Sequence, residues 1–250
     1  MVLLTHIRGT LDYWDPVVVN GFAKTRPVIL FSNAGVGTST GEIANTVEGM
    51  AKHVELFADA MGLKQIDLLG FSLGGFVAQQ VAIDRPELVR RLVLAGTAPR
   101  GGVNTDALPP DAHEHLFKES MGLRDVLALF YPATWNGVKS GLSVIFRIQG
   151  RTGDKEPEVT IAQLNRQFAA GAAWGVKESP PYQGLKKIKA PTLVVNGDDD
   201  KMLATVNSHV MYKYIPNASL VIYLAAGHGA LFQYADRFLA DTTRFLSEVP

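Results

Sequence analysis

The 250-residue chain balances 24 Lys and Arg against 24 Asp and Glu, a formal net charge of +0, and 47% of its residues are hydrophobic. Such a chain packs into a globular fold and offers no global field to recruit nucleic acid or an anionic membrane. It has no cysteine, which excludes disulfides, thiolate catalysis and Cys-based metal sites together.

No apolar run approaches the ~20 residues needed to span a bilayer. The opening Met1–His6 is too short an apolar stretch for a signal peptide, so a cytoplasmic protein without membrane contact is the expectation. In chain order, short apolar runs lie at Val2–Leu4, Val28–Phe31, Ile66–Leu69, Arg91–Ala95, Thr192–Val195 and Leu220–Leu224. Continuous runs of this kind suit strands buried on both faces of a parallel sheet. Between them, Thr46–Met61 places Val47, Met50, Ala51, Val54, Phe57 and Ala58 at helical spacing, and Phe76–Ile83 and Ala230–Leu246 read likewise. The alternation predicts an α/β fold with a doubly wound, mostly parallel sheet, whose chemistry gathers at the carboxyl ends of the strands.

One interval breaks the pattern. From Gly96 to Thr192 there is no convincing strand, only helical patterns at Asp111–Met121, Leu123–Phe130, Val138–Gln149 and Glu158–Ala173. A structureless loop of that length is rare in a compact domain. An inserted helical cap over residues 104–183 is therefore expected, on a core formed by 1–103 and 184–250. The aromatics of this interval are mostly packing residues. Phe130, Trp135 and Phe146, together with Phe71 in the core, are the candidates for lining a substrate pocket.

Gly70-Phe71-Ser72-Leu73-Gly74-Gly75 follows the run Ile66–Leu69 and opens the helix at Phe76. A G-x-S-x-G pattern between strand and helix is a sharp turn that lifts a serine hydroxyl to a helix N-terminus, where backbone N–H groups face developing negative charge. A serine needs a base to take its proton. His53 lies in a helical pattern and His6 in the loop after the first strand, where it shapes that loop. His113, His115 and His209 lie in helical patterns with no third metal ligand. His228 follows the last strand between Gly227 and Gly229, a setting that projects a side chain from a tight loop. An acid to orient it would stand after Thr192–Val195, where Asp198, Asp199 and Asp200 follow one another.

With these motifs in place the chain resembles the α/β-hydrolase superfamily over nearly its whole length. The resemblance implies a triad in the order Ser72, Asp200, His228, because the family's acid loop reads G-x-x-D and Gly197 to Asp200 fits it; Asp198 is the alternative. It implies an oxyanion hole made by the Leu73 amide and by one from Thr5-His6-Ile7-Arg8-Gly9. Counting back from Trp14 favours Ile7, with Arg8 as the alternative, and the family's usual H-G pair is absent. Asn33–Ser39 resembles the family's D-x-x-G-x-G-x-S turn; no P-loop lysine follows it to support phosphate binding. Ser72 stands where related dehalogenases and epoxide hydrolases carry Asp.

The expected activity is hydrolysis of a small carboxylic ester or lactone through an acyl-enzyme on Ser72, with no cofactor and no metal. A C–C bond hydrolase or cofactor-free perhydrolase could share the triad, and so could a ligand receptor that retains the site. The family's first two strands have no counterpart before Val2–Leu4. That leaves Val28–Phe31 expected as an uncovered apolar edge, through which the chain could form homo-oligomers.

Overall fold

A computed structural model describes residues 1–248. Six strands form one sheet: β1 (Val2–Leu4), β2 (Ile29–Phe31), β3 (Ile66–Phe71), β4 (Val89–Ala95), β5 (Thr192–Gly197) and β6 (Ala218–Tyr223). All neighbours pair in parallel, in the order β2-β1-β3-β4-β5-β6. Strands of β-branched and Leu residues suit this architecture because helices cover both faces, and β1 is buried at every position. The chain winds outward from β1 to β2, then crosses to β3 on the other side of β1. That reversal puts the carboxyl ends of β1 and β3 side by side, with Leu4 in register with Gly70. Crevices for ligands form at such points.

Among the described residues ten α-helices are interleaved. α1 (Pro16–Ala23), α2 (Val47–Ala60) and α3 (Leu73–Asp84) precede β4; α4 (Pro110–Leu116), α5 (Leu123–Phe130), α6 (Trp135–Gln149) and α7 (Ile161–Trp174) fill the interval before β5; α8 (Val206–Tyr214), α9 (Ala230–Gln233) and α10 (Ala235–Ser247) complete the chain. Helix starts follow local chemistry. Thr46 and Thr134 accept the amides of Gly49 and Gly137, and Thr160 with Gln163 forms a capping box at α7.

Three differences from the sequence reading have physical causes. The helix expected over Ala230–Leu246 is interrupted at Tyr234 (φ −118°, ψ 45°), whose hydroxyl reaches the Leu224 carbonyl. The helix expected over Asp111–Met121 stops at Leu116, because the carbonyls of Leu116, Lys118 and Glu119 turn toward the guanidinium of Arg8. α1, with Asp15 as its N-cap and Pro16 as its first residue, is an additional helix.

β2 is a sheet edge, paired only with β1, and Ile29 and Leu30 on it are half-buried. A free apolar edge invites pairing with another chain. Self-association at high concentration is the expected outcome, reduced by Ile29→Lys. Light scattering of the two proteins checks it, and a wild type that stays monomeric would count against the edge as a contact.

Candidate active site

At the end of β3 the chain makes a turn that few residues tolerate. Ser72 has φ 57° and ψ −119°, a conformation costing roughly 1–3 kcal/mol that persists only where its surroundings enforce it. Its amide donates to the Ala95 carbonyl at 3.0 Å. Its carbonyl accepts from the Gly75 amide at 2.8 Å and from Thr97 Oγ1 at 2.8 Å. The flanking glycines are required by space. A Cβ on Gly70 would lie 2.3 Å from the Gly74 carbonyl, and one on Gly74 would lie 2.3 Å from the Leu4 carbonyl. The first turn of α3 therefore presses directly on the end of β1.

His228 and Asp200 meet from two separate loops. His228 Nδ1 donates to Asp200 Oδ2 at 2.9 Å, with both side chains fully buried. Asp200 Oδ1 accepts the amides of Met202 (2.9 Å) and Leu203 (3.0 Å), so the carboxylate is fixed on both oxygens. Of the three consecutive aspartates only Asp200 does this. Asp198 is exposed and accepts the Ala226 amide, which braces the loop that carries His228. The imidazole packs against Phe71, ring centroids 5.0 Å apart, and against Phe130 at 5.6 Å. Its Nε2 is buried and has no hydrogen-bond partner among the described residues. The backbone around it is anchored by the Gly229 amide, which donates to the Phe130 carbonyl at 2.7 Å.

Across the crevice, the loop after β1 holds the Ile7 and Arg8 amides in different settings. The Arg8 amide is bound to Gln167 Oε1 at 2.8 Å and is not available to a ligand, whereas Ile7 lines the same pocket as Ser72 and Leu73. His6 donates through Nδ1 to the Ile7 carbonyl at 2.7 Å and is enclosed edge-on by Tyr13, Phe71 and Phe130. Burial pushes this imidazole down to about 4.

The pocket in front of Ser72 is narrow and mostly apolar, about 430 Å³ including its open mouth. Phe76, Leu108, Phe168, Ala172, Met202 and Leu203 form its walls. The four aromatics anticipated for it are placed elsewhere. Trp135 and Phe146 are 84% and 79% exposed on the outer side of α6 and do not line the pocket in front of Ser72. Phe71 and Phe130 are buried and pack beneath and behind the imidazole rather than in front of the serine. Phe76, one helical turn beyond Ser72, could have been found from its spacing. Phe168 is one of the aromatics of the inserted interval, but nothing in the sequence separated it from those that only pack, and Gln167 carried no signal beyond that of an ordinary helix residue.

The Asn33–Ser39 turn, with Gly35 and Gly37 at positive φ, holds the carboxylate of Glu156, which takes the Thr38 amide at 3.3 Å. It is filled by the protein's own side chain. Among the described residues no helix is long and apolar enough to cross a membrane.

Residues 1–234 match the family model for the alpha/beta hydrolase fold. The chain is 28% identical to a poly(3-hydroxyalkanoate) depolymerase of Ectopseudomonas oleovorans, over 88% of this chain and 75% of that one. It is also 28% identical to a 2-hydroxymuconate semialdehyde hydrolase of Pseudomonas putida, over 98% and 86%. Among solved structures, an alpha/beta hydrolase fold protein from Chitinophaga pinensis superposes with a TM-score of 0.93 at 33% identity, over 99% of this chain and 89% of that one.

The His6 environment yields a prediction. An unfolded histidine titrates near 6.5, well above the folded value of about 4. The unfolded chain thus gains a proton that the native state refuses, so stability is full above about pH 6.5 and falls as pH drops toward 4. Thermal melts should show a steeper decline from pH 7 to pH 4.5 in the wild type than in His6→Asn. Parallel declines would assign the acid sensitivity to other groups.

Proposed function

The chain belongs to the alpha/beta hydrolase fold family, and from that premise we propose that it is a serine hydrolase of small, uncharged carboxylic esters or lactones. The observation that carries the reading is the buried His228–Asp200 pair beside a serine held in a strained turn at the switch point of the sheet. In the proposed reaction His228 Nε2 takes the Ser72 proton as Oγ attacks the carbonyl carbon. The unpartnered state of that nitrogen supports the role, since such contacts are often loose before substrate binds and tighten in the complex. The bond to Asp200 sets the tautomer that leaves Nε2 as the acceptor and stabilises the imidazolium that forms.

The Leu73 and Ile7 amides would hold the oxyanion, and neither donates a hydrogen bond within the protein among the described residues. Collapse of the tetrahedral adduct passes the proton from His228 to the leaving alcohol. Water, deprotonated by the same nitrogen, then releases the acid and restores Ser72. The four helices α4–α7 would act as a cap, because Leu108 and Phe168 close the pocket from that side.

No residue lining the pocket is charged. That favours a neutral substrate over the carboxylate-bearing ones a C–C bond hydrolase would need to anchor, because a buried anion without a partner is costly. The pocket's small size favours a short acyl group.

Ser72→Ala should lower turnover of p-nitrophenyl acetate by ~10⁴–10⁶-fold with an unchanged far-UV circular dichroism spectrum. A residual rate above a tenth of wild type would reject the mechanism, and a wild type that fails to turn over many equivalents of the ester would favour a ligand receptor. Asp200→Asn should cost roughly 100-fold or more in kcat through the wrong His228 tautomer. Asp198→Asn removes only a loop brace and should cost under about tenfold on the same ground. The reverse ranking would transfer the acid's role to Asp198.

A further inference from the structure

The Ile7–Arg8 peptide is gripped at both ends. Its carbonyl accepts from His6 Nδ1 at 2.7 Å, and its N–H donates to Gln167 Oε1 at 2.8 Å. The first partner belongs to the core loop and the second to α7. The preceding peptide is held by one end only: the His6 carbonyl accepts from the Gly9 amide at 3.1 Å. In a trans peptide the N–H points opposite to the C=O. The Ile7 N–H is therefore directed away from its own loop, and Ile7 lines the pocket with Ser72.

Arg8 adds a second tie to the same helical segment. It is only 5% exposed and sits at φ 63°. Its Nη1 donates to the carbonyls of Leu116 (2.6 Å) and Lys118 (2.5 Å), and its Nη2 to Glu119 (2.7 Å). Among the described residues no carboxylate pairs with it, and three carbonyl dipoles at and just beyond the end of α4 compensate this buried charge. A left-handed conformation at a bulky residue needs such enforcement.

We infer that Gln167 is a positioning residue for the oxyanion hole: α7, acting with the Arg8 tie to residues 116–119, holds the Ile7–Arg8 peptide in the plane that aims the Ile7 amide at the substrate carbonyl. The inference rests on the serine-hydrolase reading and adds to it that the catalytic geometry is complete only when α4–α7 are seated. Gln167 directly precedes Phe168, a wall of the pocket, so one turn of α7 both shapes the acyl site and fixes the donor opposite it.

The test uses the full chain. Gln167→Met removes the acceptor at similar volume, whereas Gln167→Glu retains an oxygen there. Assayed on p-nitrophenyl acetate, Gln167→Met should lose about 10- to 100-fold in kcat, short of the ~10²–10³ that deleting a donor costs. Its KM should stay within about threefold, because ground-state binding in the apolar pocket is untouched. Inhibition by a trifluoromethyl ketone, which forms a charged tetrahedral adduct, should weaken by the same factor as kcat/KM. Gln167→Glu should recover most of both.

A folded Gln167→Met with wild-type kcat, or a loss confined to KM, overturns the inference. If that variant does not fold, Gln167→Asn, which withdraws the amide by one methylene, carries the same readouts. Ser72→Ala run alongside separates the two levels. Activity independent of Ser72 removes the hydrolase reading and this inference together, whereas Ser72-dependent activity indifferent to Gln167 removes the inference alone.

Discussion

The turn at Ser72 is an energetic liability that three hydrogen bonds and two glycines convert into a fixed point. The Ala95 carbonyl ties its amide to β4, and Thr97 and Gly75 tie its carbonyl in place. With only hydrogen at Gly74, α3 rests on the Leu4 carbonyl, so the elbow and the loop after β1 share one backbone contact. The separation between Ser72 and the Ile7 loop is thus set by main chain, which is stiffer than any side-chain arrangement. The buried His228–Asp200 pair approaches from β5 and β6 on the other flank. Removing those hydrogen bonds or the space at Gly70 and Gly74 would take away what enforces the strained conformation of Ser72.

Much of this was legible beforehand, for reasons that differ by element. The strands were readable because a parallel sheet buried on both faces needs near-continuous apolar runs, as in Val2–Leu4 and Thr192–Val195. Ser72 was readable because its turn demands glycines at fixed offsets. The resemblance to the family's G-x-x-D loop favoured Asp200 with Asp198 left as the alternative, and burial distinguishes them, since only Asp200 of the three turns inward. The pocket was not legible. Large aromatics were expected to line it, but Trp135 and Phe146 lie on the outer face of α6, and composition cannot say which way a helix faces. The end of α4 was missed for a related reason. It is decided by Arg8, far away in sequence, and no local pattern encodes such a contact.

The interval between β4 and β5 is joined to the rest of the protein through directional polar contacts as well as apolar packing. Arg147 forms a two-pronged ion pair with the buried Asp15, the N-cap of α1. Glu156 fills the Asn33–Ser39 turn and also takes the Leu11 amide. Gln163 reaches the Gly35 carbonyl and Arg166 that of Ile43. Apolar surfaces alone tolerate sliding. Directional bonds to particular groups do not, and removing Arg147 would leave the fully buried Asp15 carboxylate without its charge partner, which is costly. The helices α4–α7 are consequently held in one orientation over the crevice.

That division of anchors and walls bears on how the protein can diversify. The residues that fasten the interval (Arg147, Glu156, Gln163, Arg166) are distinct from those that touch the pocket, such as Leu108, Phe168 and Ala172. Drift at the wall positions can recut the acyl site while the fastenings keep the fold intact. Changes of length are more constrained. An insertion between Leu116 and Glu119 would pull the carbonyls off Arg8, whereas the exposed stretch at 151–155 has slack to absorb added residues. Lineages descending from such a scaffold would be expected to differ by substitution near Leu108 and Phe168, and by insertion chiefly at that outer loop.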